Sequence, residues 1–259
     1  MGFLWGKLMG YNLGFISDED IFNHVKDTVE KYRSLITLKE FQKNIIDPIK
    51  LTFDAKIYRQ DWEEIIEGEV IRQLDKSNNN HIGYFHQNIF HYINGWLVPV
   101  HGFDIINDDE SVFVEMKNKH NTMNSSSSQK TYMNMQAKII SNPMATCMLV
   151  EVIAKRSQNI AWQVNVNGQN FKNEQIRRVS IDKFYEIATG QSDSFYRLCQ
   201  QLPQIIDDVL TSTDLDNIIQ NTVLKELSDI AGDDILKSIF KTSFTTYQGF
   251  SNFSWGKPC

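Results

Sequence analysis

The sequence predicts an α/β protein, with a mixed central β-sheet flanked by helices and a helical C-terminal part. Three observations predict it. Two apolar runs, Gly102-Phe103-Asp104-Ile105-Ile106 and Val112-Phe113-Val114-Glu115-Met116-Lys117, flank the turn-forming cluster Asn107-Asp108-Asp109-Glu110, which is the pattern of a hairpin. A helical stretch and then a continuous apolar run follow, an order that suits a crossover onto the same sheet. Residues 194–242 then read mostly as helix.

Taken in order, residues 17–34 read as a helix, with Ser17 as N-cap and Asp18, Glu19 and Asp20 in the first turn. A second helix over 61–75 carries Trp62, Ile65, Ile66, Val70 and Leu74 on one stripe, and the polar run Lys76-Ser77-Asn78-Asn79-Asn80 ends it. Residues 81–94 are rich in aromatics and suit a further helix packed on the sheet. The hairpin occupies 95–106 and 111–118. A hydrophilic loop over 119–128 leads into a helix over 129–140, which Asn142-Pro143 stops. Residues 146–154 and 160–166 read as strands. Ser180 caps a helix over 181–188 that ends at Gly190. We see no internal repeat and no linker that forces two domains. The whole chain is therefore expected to form one domain, with a core over about 55–190 and a helical region over about 191–259.

Composition excludes several classes. With 259 residues, 41% hydrophobic and 12% aromatic, the chain can bury a core, and wholesale disorder is not expected. No apolar run reaches membrane-spanning length. Glycines break the first ten residues and no basic segment precedes their apolar side chains, so no signal peptide is expected. Gly2 lacks the Ser or Thr at position 6 that myristoylation uses. Cys147, Cys199 and Cys259 have neither metal-site nor redox spacing and are expected to be reduced thiols in a cytoplasm. The net charge of −6 does not exclude a nucleic-acid partner, because it is unevenly spread. Residues 203–236 carry eight acids against Lys225 alone, whereas 155–183 carry six bases against Glu174 and Asp182.

The chemistry concentrates in the hairpin. Successive side chains alternate faces along a strand, so Glu115 and Lys117 point the same way. An acid from the first strand with an acid and a lysine from the second can hold a divalent cation and orient a water, as metal-assisted phosphodiester hydrolysis requires. The pattern of an acid, about ten residues, then Glu-x-Lys resembles the PD-(D/E)XK nuclease superfamily, whose αβββαβ core the element order also resembles. Phe103 stands where that superfamily's name places proline. Further stretches resemble a family of bacterial type II restriction endonucleases, closest to the group that cleaves GGNCC. They are the run from Arg72 through Gln87, Gly102-Phe103-Asp104, the run from Glu115 through Ser125, and Phe184-Tyr185-Glu186-Ile187-Ala188-Thr189-Gly190. The likeness spans roughly residues 15–210.

The resemblance implies a Mg²⁺-dependent endonuclease acting on double-stranded DNA as a homodimer at a short palindrome. Asp104 and Glu115 would be the metal ligands, with the Met116 carbonyl a third, and Lys117 the lysine that positions the attacking water. The helical C-terminal region, 215–230 and 235–240 in particular, would supply a dimer surface. A cognate DNA methyltransferase would share the site without binding the protein. On the upstream helix, Glu69 and Gln73 fall on the apolar stripe; Glu69 either pairs with a nearby Arg or Lys or reaches the metal site, with Glu63 as its substitute. Guanine edges call for basic donors, and the candidates for DNA contact are Lys155, Arg156, Arg177 and Arg178 with Lys119, His120, Asn121 and Asn124. Ser125 and Ser126 either form part of a flexible linker or contact phosphates. His86, His91 and His101 are read as core or hydrogen-bonding residues rather than metal ligands. Two alternatives remain open at this point: a same-fold nuclease in DNA repair, and a non-catalytic DNA-binding module.

Overall fold

The computed structural model describes residues 10–32, 36–166, 168–213, 222–232 and 234–244. The chain divides into two compact units, residues 1–30 with 81–213 and residues 31–80 with 214–259.

The first unit is built on a six-stranded sheet of β1 (Trp96–Leu97), β2 (Ile105–Asn107), β3 (Val112–Lys119), β4 (Thr146–Ile153), β5 (Asn159–Val166) and β6 (Gln169–Ser180). The strand order is β1-β2-β3-β4-β6-β5. β3, β4 and β6 run parallel and the remaining pairs antiparallel, so the sheet is mixed as the sequence predicts. β4 is buried on both faces, which is why its sequence is nearly all apolar.

The pleat sorts the sheet's side chains onto two helical layers. Phe113, Cys147, Leu149, Trp162 and Ile176 pack with Tyr132, Met135 and Ile139 of α5 (Ser125–Ser141), spaced three and four apart on one helical face. Val114, Met116, Met148, Val150 and Val179 pack instead with residues of α1 (Asp18–Lys31), α6 (Ile181–Thr189) and α7 (Ser194–Ser212), among them Ile21, Phe184, Tyr185, Leu198 and Ile205. Each such fully buried side chain contributes about 1.5–3 kcal/mol. The Ser17 hydroxyl accepts from the Asp20 amide at 3.1 Å, as an N-cap should. α6 ends at Gly190, whose φ of 71° and N–H bond to the Glu186 carbonyl at 2.9 Å close the helix where predicted.

Several elements depart from the expectation: the strand expected over 95–106 is confined to β1 and β2 at its two ends, and the helices over Leu38–Lys43 and Pro48–Tyr58 were not expected. α4 runs unbroken from Trp62 to Asn88, followed by a short 3₁₀ turn over Ile89–Tyr92, so the Lys76–Asn80 run does not end it. That run contains no Gly or Pro, and Asn79 donates back to Asp75 at 2.8 Å. α5 begins four residues early, at Ser125, because the Asn124 side chain accepts from the Ser127 amide at 2.8 Å. The serine run is therefore the first turn of a helix rather than a linker. β6 was not anticipated; its polar and basic residues disguise a twelve-residue strand.

The second unit is helical: α2 (Leu38–Lys43), α3 (Pro48–Tyr58), the part of α4 up to residue 80, α8 (Val223–Ala231) and α9 (Ile235–Ser243). Thr37 and Glu40 form a capping box on α2. Its core joins Leu38, Phe41, Leu51, Ile65, Ile66 and Val70 with Val223, Leu227, Ile235 and Ile239. These last four apolar residues, expected at a dimer surface, are thus buried in their own unit. Residues 215–221 of that expected surface lie outside the described residues. No helix among the described residues is long and apolar enough to cross a membrane.

Candidate active site

Asp104 lies one residue before β2, in a segment that leaves Gly102 (φ 97°) and is anchored by Phe103, whose ring lies 5.3 Å from that of Phe113. Antiparallel pairing of Ile105 with Val114 brings Asp104 beside the next turn of β3. There its Oδ2 accepts from the Met116 amide at 2.7 Å, while Gln87 Nε2 donates to the Asp104 carbonyl at 3.1 Å. Within a strand a residue's N–H and C=O leave on the same side. The Met116 carbonyl therefore turns toward the edge that carries Asp104.

Glu115 and Lys117 project together from β3, as the alternation requires, with Lys117 Nζ 3.3 Å from Glu115 Oε2. Both are partly shielded. Burial raises the Glu115 pKa, the neighbouring Asp104 charge raises it further, and Lys117 only partly opposes them. Two carboxylates that repel each other, with a backbone carbonyl on the same edge, form an all-oxygen donor set. Such a set suits a hard cation like Mg²⁺, which takes one or two carboxylates and keeps several waters. No cluster of three or more His, Cys, Asp or Glu stands as a metal site among the described residues. Glu115 also lines a recess with Gly102, Phe103, Asn134 and Lys138.

The expected DNA-contacting residues separate into groups. Lys119, Asn121 and Arg178 line one recess with Lys117, Ser128 and Glu151 at the C-terminal ends of β3, β4 and β6. His120 Nδ1 lies 2.7 Å from Arg178 Nη2 and 3.0 Å from Glu151 Oε1. Unprotonated, that nitrogen accepts from Arg178; protonated, it donates to Glu151. Asn124, Ser125 and Ser126 occupy the exposed start of α5. Lys155 and Arg156 lie exposed between β4 and β5, where Arg156 Nε donates to Gln158 at 3.3 Å. Arg177 alternates with Arg178 along β6 and so leaves the opposite face, where it donates to Asn159.

Glu69 lies in the second unit. It is buried, and its carboxylate accepts from Arg72 Nε at 2.6 Å and from Gln73 Nε2 at 2.9 Å. Burial acts to raise its pKa, but the Arg72 and Gln73 hydrogen bonds hold it below the usual carboxylate range. Of the histidines, His86 is partly buried and is pushed down to about 4, chiefly by burial and then by His24. His91 and His101 are exposed.

Sequence reasoning missed Glu151. It is 1% exposed in β4 and bonded to both Arg178 and His120. The signal was present: an acid inside the apolar run Met148-Leu149-Val150-Glu151-Val152 must find a partner.

Residues 13–211 match the family model of the Eco47II restriction endonuclease, a span that holds Asp104, Glu115, Lys117, Glu151 and Arg178. The chain is 32% identical over 209 residues to the type II restriction enzyme Sau96I of Staphylococcus aureus, covering 76% of this chain and 80% of that one. It is 29% identical over 213 residues to the type II restriction enzyme Eco47II of Escherichia coli, covering 77% and 88% respectively.

Proposed function

Because the chain belongs to the Eco47II restriction endonuclease family and is thus a type II site-specific deoxyribonuclease, we propose that it hydrolyses double-stranded DNA by a Mg²⁺-assisted attack of water at the Asp104, Glu115 and Lys117 edge. The observation that carries the reading is the meeting of two mutually repelling carboxylates with a lysine ammonium where the segment before β2 meets β3. The Asp104 and Glu115 carboxylates and the Met116 carbonyl would hold Mg²⁺, which when bound would supply Lewis-acid polarisation of the scissile phosphate and acidify a water at neutral pH. Asp104, pinned by the Met116 amide, presents its second oxygen in a fixed direction. Glu115, whose anion burial and the Asp104 charge disfavour more than Lys117 favours it, would be stabilised by a bound cation. Lys117 orients the attacking water and offsets the charge that builds on the phosphate oxygens as the P–O bond breaks. The products are a 5′-phosphate and a 3′-hydroxyl.

The target is a short palindrome, GGNCC by the likeness described above, and a palindrome favours a homodimer in the cytoplasm where the host's DNA is exposed. Lys117→Ala tests the chemistry. It is expected to lower single-turnover cleavage by about 10²–10³-fold, the loss typical of one charge-stabilising donor. Cleavage at wild-type rate by the purified variant overturns the mechanism.

A further inference from the structure

Beyond the metal-binding edge, one buried charge has no part in the mechanism above. Glu151 sits near the C-terminal end of β4, a strand buried on both faces, where an unpaired carboxylate would not be tolerated. Its register partners are Lys117 on β3 and Ser180 on β6. Parallel partners share a face, so Glu151 points the same way as Lys117. Arg178, two residues back along β6, shares that face and reaches along the sheet to bond its carboxylate, and His120 closes on it from the end of β3. Burial raises the Glu151 pKa, but the Arg178 and His120 hydrogen bonds hold it below the usual range, so it stays an anion at neutral pH.

The recess these residues line contains Lys117, Lys119 and Arg178 against the single carboxylate of Glu151, and is therefore positive. Arg178 Nε is buried there without a hydrogen-bond partner. A buried donor left unmade costs free energy unless a ligand supplies the acceptor. Glu151 itself cannot meet a phosphate, being both anionic and enclosed. What it can do is fix a guanidinium that would otherwise sample several rotamers.

We propose that Glu151 is a positioning residue for DNA cleavage, holding Arg178 and His120 so that the guanidinium meets a backbone phosphate beside Lys117. The inference rests on the endonuclease reading. It is tested in the full-length protein with Glu151→Gln, Arg178→Ala and the double variant. Two quantities are measured on a long unmethylated duplex DNA: single-turnover cleavage with Mg²⁺, and metal-free affinity as a function of salt. Each single variant is expected to cut roughly ten- to a hundredfold more slowly, the loss typical of a supporting partner at a metal site. The double variant is expected to cut no more slowly than Arg178→Ala, because Glu151 acts through that side chain. Arg178→Ala is also expected to reduce the slope of log affinity against log salt by about 0.9, the share of one phosphate contact.

A merely structural Glu151 gives losses that multiply in the double variant, and that result overturns the proposal. An Arg178→Ala protein with wild-type rate and slope overturns it as well, and where either single variant does not fold the double variant, which removes both charges, overturns it by the same wild-type rate and slope. Lys117→Ala in the same assay separates the two readings. If it abolishes cutting while Arg178→Ala does not slow it, only the positioning role fails. If the wild-type protein cuts no DNA, the endonuclease reading fails and this role falls with it.

Discussion

Asp104 divides two tasks between two oxygens, and two substitutions separate them. Oδ2 accepts from the Met116 amide at 2.7 Å, a bond that ties the segment before β2 to β3, where Met116 is 8% exposed. Asp104→Asn keeps an oxygen for that amide but removes the charge. Asp104→Ala removes both and leaves a shielded N–H unpaired, at a cost of about 1–3 kcal/mol. At about 2–4 °C per kcal/mol for a chain of this size, Asp104→Ala should melt about 2–12 °C below Asp104→Asn in metal-free buffer. Both variants should cut at least about a hundredfold more slowly with Mg²⁺, since each loses a carboxylate from the cation's donor set. Thermal unfolding and single-turnover cleavage on the same preparations check both halves. Equal melting of the two variants refutes the structural half, and wild-type cleavage by Asp104→Asn refutes the chemical one.

Other consequences follow from the same residues. The folded-state pKa of Glu115 is raised, so its stabilising contribution is complete below the unfolded carboxylate value and is lost as pH rises through the folded one. Metal-free Glu115→Gln should therefore melt above wild type at neutral pH, with the advantage vanishing in acid; a melting difference that stays flat with pH contradicts the shift. Added Mg²⁺ should raise the melting temperature of wild type and leave that of Glu115→Gln nearly unmoved, as binding to the folded state alone requires. Asn124→Ala removes the α5 cap and should cost about 0.5–2 kcal/mol in denaturant unfolding. An unchanged midpoint would show that the helix does not depend on that side chain.

The parts of the site that were legible in the sequence are those that need only one strand's geometry. Period-two alternation alone puts Glu115 and Lys117 on one face, and a turn cluster between two apolar runs alone implies that β2 pairs with β3. Ser17 and Gly190 were legible as helix ends because caps are local chemistry. Glu151 was not, since its partners arrive from β6 and from beyond β3, and β6 looked like a basic surface rather than a strand. The serines after Asn124 looked like a linker because one cap bond, invisible in composition, turns them into a helix. Likewise, the Asn-rich run in α4 is polar but contains no helix breaker, and polarity alone does not end a helix. Glu69 was legible as an acid on an apolar stripe, and Arg72, one turn away, is the cation it pairs with.

The central claim is that this edge cuts DNA at a defined site with the help of a divalent cation. Incubating the purified protein with long unmethylated DNA of known sequence, with and without Mg²⁺, and mapping the product ends tests it most directly. Discrete Mg²⁺-dependent fragments with 5′-phosphates at GGNCC are the predicted result, and discrete ends elsewhere would revise the target alone. Intact DNA under Mg²⁺ and every other divalent metal would contradict the account.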